Sequence, residues 1–254
     1  MIMLRHTFVH GPGIGTTTER SIWQAGARTW EQYLDQYARG RFGGRRHDQL
    51  ASVIQDSRRA LDARDVSFFG NRLASCDRWR LYHSFVDRAA YIDVETTGFG
   101  AAADVTLVAL SDGREVQTFV RGQNLDHFPA AAARYPLVVT FNGAQFDLPF
   151  LERTFGWRPS AHIDLRFVLQ RVGYAGGLKA ILPELGMTPP AHVRGLTGLD
   201  AIRLWQRYER GSRIALSLLL DYARHDAECL APLAHYSVGE MAAQLGFSEM
   251  PRAA

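Results

Sequence analysis

Four carboxylates and one tyrosine stand out by type and spacing. The segment Tyr91-Ile92-Asp93-Val94-Glu95-Thr96-Thr97-Gly98 places two acids one residue apart inside an apolar run. Residues i and i+2 of a β-strand face the same way, so Asp93 and Glu95 would project together near the strand's carboxyl end. Ile92 and Val94 beside them argue for a buried strand over a solvated edge. Two carboxylates that close repel each other, and their joint ionisation is costly unless a cation neutralises them. Hard oxygen ligands favour Mg²⁺ or Mn²⁺ for that task.

A third acid, Asp147, follows the apolar run 137–141 and an Asn142-Gly143 turn, where a helix begins. A charge set among Phe146, Leu148 and Phe150 needs a partner, although an acid in the first turn of a helix is by itself ordinary. The fourth is Asp226, which shares one helix face with Tyr222 at i, i+4. Such a pair alone carries little. The ordered set points to chemistry.

The elements that would position these groups follow from the periodicity. Strands are predicted over 91–95, 105–111 and 115–120, the last two joined by the hairpin signal Asp112-Gly113. A helix over 128–134, a strand over 137–141, a helix over 144–155 and a strand over 163–167 come next. Helices are then expected over 178–185, 199–208 and 214–235. Three antiparallel strands followed by β-α-β units and helices describe an α/β three-layer domain with a mixed sheet.

Upstream of it the sequence reads as short helices. The turn His10-Gly11-Pro12-Gly13-Ile14-Gly15 feeds a helix through Trp23, for which Thr16 and Glu19 have the spacing of a capping box. A second helix is predicted over 30–37, then an Arg/Gly-rich loop over 39–46 and an amphipathic helix over 48–64. Trp23, Trp30 and Tyr33 are expected in the core of this region.

With 254 residues, 46% hydrophobic and 22% charged, the chain has the composition of a folded globular protein. The longest plainly apolar run, 214–220, is far short of the ~20 residues that span a bilayer. The amino-terminal MIMLRH lacks a secretory h-region, so the expectation is a cytoplasmic protein with no membrane association. Two cysteines, Cys76 and Cys229, form no metal-ligand spacing and are expected as buried apolar thiols. Residues 1–88 carry 14 arginines against nine acids, a net +5, whereas the remainder is at −2. That asymmetry suits a polyanion-binding region beside a carboxylate-rich site. Lys179 is the sole lysine among 29 basic residues.

At the acidic positions the sequence resembles the DEDD exonucleases of the ribonuclease H-like superfamily. Asp93-x-Glu95 matches the first exonuclease motif, Asn142-Gly143-x-x-Phe146-Asp147 the second, and Tyr222-x-x-x-Asp226 the third in its tyrosine form, DEDDy. The histidine form needs His at position 221, which is Asp. More closely, the chain is similar to bacterial YprB-type ribonuclease H-like proteins over nearly all its length. The matching segments include PGIG-x-x-TE-x-x-x-W, FFGNRL, WRLY, YIDVETTG, TFNGAQFDLPFL, HIDLR and GGLKAI.

The resemblance implies a ribonuclease H-like three-layer α/β fold with a mixed five-stranded sheet over 89–240, preceded by a small, mainly helical region over 1–88. It implies a nuclease that hydrolyses nucleic-acid phosphodiester bonds, running 3′ to 5′ by a two-metal-ion mechanism. Two divalent ions, Mg²⁺ or Mn²⁺, would be held by Asp93, Glu95, Asp147 and Asp226. Asp93 would bridge both, and Tyr222 would orient or help deprotonate the attacking water. Thr96 and Asn142 would contact the terminal nucleotide or support the ligands, while His162 and Asp164 are expected to be structural. The partner would be single-stranded or 3′-ended DNA or RNA.

The PGIG turn resembles the hairpin of helix-hairpin-helix modules, in which Gly13 and Gly15 would meet phosphates through backbone N–H groups. Too few residues precede it for a full first helix. Two other functions share the same fold: a nucleic-acid-binding adaptor without turnover, and a structure-selective endonuclease whose preference would lie in loops 99–103 and 171–177.

Overall fold

The computed structural model describes residues 3–100 and 102–247. Apolar runs rich in β-branched residues pair as five strands: β1 Ala89–Thr96, β2 Val105–Ser111, β3 Val116–Val120, β4 Leu137–Thr140 and β5 Ala161–Asp164. Their order is β3-β2-β1-β4-β5. The β1–β2 and β2–β3 pairs are antiparallel, and β1–β4 and β4–β5 are parallel. The mixed five-stranded sheet expected from the sequence is present, with β1 at its centre.

The helices are α1 Thr16–Gln24, α2 Trp30–Ala38, α3 Arg45–Asp62, α4 Val66–Gly70, α5 Tyr82–Phe85, α6 Phe128–Ala132 and α7 Asp147–Phe155, followed by α8 Leu165–Arg171, α9 Leu178–Glu184, α10 Gly198–Glu209 and α11 Arg213–Gln244. Alternate residues of β1 separate the layers. Ala90, Ile92 and Val94 pack with Phe128 of α6 and Phe150 and Leu151 of α7. Ala89 and Tyr91 join the opposite core, built with α8, α9, α11 and the amino-terminal helices. By the pleat, Asp93 and Glu95 fall on this second face. There they pair in register with Ala109 and Leu107 of β2, which are covered by α10 and α11.

Trp30 and Tyr33 are fully buried and Trp23 partly so, as expected. The amino-terminal helices pack directly on the sheet: a side chain on Gly70 of α4 would fall 2.5 Å from the Ser160 carbonyl oxygen ahead of β5. The Tyr82 and Tyr91 hydroxyls hydrogen-bond at 2.8 Å.

Several expectations are corrected. The box at Thr16 does not form: Gly15 is the N-cap and makes no side-chain cap. Glu19 turns inward instead, accepting from the Phe8 and Val9 N–H groups and pairing with buried Arg80 at 2.9 Å. That charge-assisted cluster outcompetes a surface cap. The strand expected over 163–167 stops at Asp164, whose carboxylate caps α8 by accepting from the Arg166 N–H. The helix over 144–155 starts only at Asp147, because Asn142 takes a positive φ of 65° and holds the chain in a turn. The last helix runs on past 235 to Gln244, with Pro232 inside it. Cys229 is buried but Cys76 is exposed, because Asp77, Trp79, Arg80 and Leu81 are the members of their 3₁₀ segment that face inward.

Candidate active site

The site is assembled where β1 ends. Asp93, Glu95 and Thr96 come from β1, Asn142 from the turn after β4, Asp147 from the start of α7, and Tyr222 and Asp226 from α11. All seven line one cleft of about 160 Å³, with Phe99, Phe146, Gly198 and Ile202 on its walls. Glu95, Asp147, Tyr222 and Asp226 are each buried, and Asp93 is half-buried. Its Oδ2 is sealed from solvent without a hydrogen-bond partner.

The turn after β4 is built to aim Asn142 and Asp147. Asp164 accepts from the backbone N–H of Asn142 at 2.8 Å and of Ala144 at 3.0 Å. The Thr140 Oγ1 accepts from the Gly143 N–H at 3.0 Å and pairs with His162 Nε2 at 2.8 Å. Burial, helped by the Arg78 charge, pushes His162 down to about 4, so the ring is neutral at physiological pH. Gly143 is required here: a Cβ would fall 2.1 Å from Thr140 Oγ1. The structural roles expected of His162 and Asp164 are these.

Electrostatically the cleft is a set of acids raised by burial, with Asp93 and Glu95 raised further by their acidic neighbours. Burial, reinforced by Glu95, Asp226 and Asp147, drives Asp93 well above the carboxylate range. Burial and then Asp226 do the same to Glu95. Asp147 is lifted by burial to about 7. Burial also raises Asp226, opposed by Lys179. The Tyr222 hydroxyl is pushed far above its usual range by burial and by the charges of Asp226, Glu95 and Asp93. It keeps its proton at physiological pH.

Lys179, at the start of α9, has no role in the sequence-based assignment. It forms an ion pair with Asp226 and sits 4.3 Å from the centre of the Tyr222 ring. The available signal was its type: one lysine in an arginine-rich chain, within GGLKAI. Arg166 was also missed; it donates to Asn142 Oδ1 at 2.7 Å. Phe99, 64% exposed, stands at the mouth with Phe146, their ring centres 6.3 Å apart. Thr96 Oγ1 donates to the Gly98 carbonyl at 2.5 Å. Gly13 and Gly15 are exposed and lie outside this cleft, in the turn before α1.

Residues 90–238, more than half of the chain, match the sequence profile of the RNase_H_2 family, described as RNase_H superfamily. The chain belongs to the RNase H superfamily. Among solved structures, this RNase H-like chain is similar to the family B DNA polymerase from the hyperthermophilic archaeon Pyrobaculum calidifontis, at 15% identity and a TM-score of 0.44. That match covers 62% of the present chain and 24% of the polymerase chain. No curated protein matches in sequence.

RNase H-like nucleases generally use divalent metal ions. The donors in this cleft fit such ions. They are carboxylate oxygens, which suit hard cations, they suppress one another's ionisation, and one sealed Asp93 oxygen has no partner. Among the described residues no three ligand groups already close into a coordination cage. Asp226 is engaged by Lys179 instead. No helix among the described residues is long and apolar enough to cross a membrane.

Proposed function

We propose that this RNase H-like chain is a nuclease of the DEDDy type, hydrolysing nucleic-acid phosphodiester bonds from the 3′ end with divalent metal ions. The carrying observation is the convergence of Asp93, Glu95, Asp147, Tyr222 and Asp226, from three separate parts of the chain, in one cleft. Burying four carboxylates together is costly unless a cation compensates them. A binding module without turnover has no physical need to keep that arrangement.

Asp93, Glu95, Asp147 and Asp226 would hold two ions, Mg²⁺ or Mn²⁺. When bound, these would supply positive charge opposite the phosphoryl oxygens and the leaving 3′ oxygen. Tyr222, which retains its proton, orients the attacking water by donation and acceptance at its hydroxyl. Thr96 and Asn142 reach the terminal nucleotide from the cleft wall, and Phe99 and Phe146 offer apolar faces to its base. Gly13 and Gly15 belong to a separate phosphate contact in the amino-terminal region. That helical region, 1–88, and the RNase H-like domain, 89–240, are the two functional parts.

The test is digestion of 5′-labelled single-stranded DNA and RNA, and of circular single-stranded DNA, with Mg²⁺, Mn²⁺ or EDTA. Asp93→Asn protein is run alongside. The expected result is a metal-dependent ladder shortening from the 3′ end, lost in the variant, with circles left intact. Full activity in Asp93→Asn would overturn the assignment. Cut circles would make the enzyme an endonuclease, and binding without cleavage an adaptor.

A further inference from the structure

The chain's most concentrated positive charge lies outside the cleft, in the segment Arg39-Gly40-Arg41-Phe42-Gly43-Gly44-Arg45-Arg46-His47, which runs from the end of α2 through a loop into the first turn of α3. It contains four arginines and no acid. Arg39 is tied to Asp35 at 2.9 Å. The next acid, Asp48, accepts from the Tyr37 hydroxyl at 2.7 Å. Among the described residues no acid pairs with Arg41, Arg45 or Arg46, and all three are exposed.

The segment is shaped rather than slack. Gly40 and Gly44 take positive φ values of 74° and 88°, which lets the chain reverse on either side of Phe42. The Phe42 ring is turned inward between Tyr33 and His47, with ring centres at 4.9 and 5.2 Å. That anchor fixes the loop's middle and leaves the guanidinium groups outward. Arg46 then reaches the PGIG turn: its Nε lies 3.9 Å from where a side chain on Gly13 would begin. Arginine loop and glycine turn therefore form one continuous face.

We propose that Arg41, Arg45 and Arg46 form an auxiliary anchor for the phosphate backbone of the nucleic-acid strand, away from the bond being hydrolysed. The inference rests on the nuclease reading above and extends it to a second contact region. Planar guanidinium forks match phosphate oxygens and hold their charge at every physiological pH. Contacts to phosphate position a strand without reading its sequence. An anionic membrane would be a second polyanion, but the loop's one large apolar side chain, Phe42, faces inward, and none of the exposed large apolar residues belongs to residues 3–85. The face has charge and no apolar anchor, which favours nucleic acid.

The test uses the full chain carrying Arg41→Ser, Arg45→Ser and Arg46→Ser together, and a second protein with lysine at all three positions. Binding to a labelled single-stranded oligonucleotide is followed by anisotropy in EDTA as salt is raised. Loss of three phosphate contacts lowers the slope of log affinity against log salt by about two for a single strand. The lysine protein keeps the wild-type slope. An unchanged slope in the serine variant overturns the proposal, as does equal loss in the lysine protein, which would assign the effect to packing. So would loss of binding to phosphatidylserine vesicles with oligonucleotide binding intact. Hydrolysis of the p-nitrophenyl ester of thymidine 5′-monophosphate, which needs only the cleft, is expected to be equal in all three proteins. If wild-type protein fails to hydrolyse it, the nuclease reading falls while the binding comparison still stands.

Discussion

Asp147 has a folded-state pKa of about 7 against about 3.9 for an unperturbed Asp, raised first by burial. The folded state therefore binds this proton more tightly than the unfolded chain does. Its stabilisation is complete below about pH 4 and is lost as pH rises through about 7. Asp93 and Glu95, also raised first by burial, act in the same direction. In EDTA the melting temperature should fall between about pH 5 and about pH 8, and the rise on adding Mg²⁺ should be larger at the higher pH, where the ligands ionise. An Mg²⁺ effect of equal size at both pH values would mean that these acids do not bind the ion. Lys179 provides a second test at this scale, because it already supplies one positive charge to Asp226. Lys179→Met should melt lower than wild type in EDTA and gain more from Mg²⁺, since the ion no longer competes with an ammonium group for the carboxylate. Equal gains in both proteins would show that Lys179 does not compete for that position.

At the scale of elements, the decisive piece is the turn between β4 and α7. Asp164→Ala removes the acceptor for the N–H groups of Asn142, Ala144 and Arg166, at a cost of about 2–4 kcal/mol. Gly143→Ala forces a methyl group against Thr140. Both should lower hydrolysis without touching a ligand, and Gly143→Ala should do so even where chemical denaturation shows the fold intact. Normal turnover in a folded Gly143→Ala protein would mean that this turn does not place Asp147. Much of this was legible in the sequence. Strand alternation placed Asp93 and Glu95 on one face, and i, i+4 spacing placed Tyr222 beside Asp226. The limits of legibility are equally specific. Asp164 sits where a strand becomes a helix, and the residues before and after it are equally apolar, so periodicity extended β5 too far. Thr16 and Glu19 had capping spacing, yet Arg80, 61 residues onward, claimed the carboxylate. Lys179 is 47 residues from Asp226, and no local pattern encodes that pairing.

Across the whole molecule, the amino-terminal helices and the sheet share one buried core. Met3, Phe8, Trp30, Leu50, Phe69 and Trp79 lie in the same cluster as Ala89, Tyr91, Leu137, Val139 and Ile163. Gly70 meets the chain just ahead of β5, Arg28 donates to the Gly246 carbonyl at 2.8 Å beyond α11, and Trp23 packs edge-on against Phe247. The packing therefore crosses the boundary at residue 88 that the sequence suggests. Deleting residues 1–88 would strip the amino-terminal helices' share of the cover from that face of the sheet, leaving α8, α9 and α11 to bury it alone and exposing apolar area. Full-length protein should therefore unfold in a single transition whose calorimetric and van't Hoff enthalpies agree. The fragment 89–247 should bind a hydrophobic dye and melt without a cooperative step. A fragment that melts cooperatively and hydrolyses nucleotide esters at the full-length rate would show that the RNase H-like sheet folds alone. In that case the amino-terminal helices would act on substrate only.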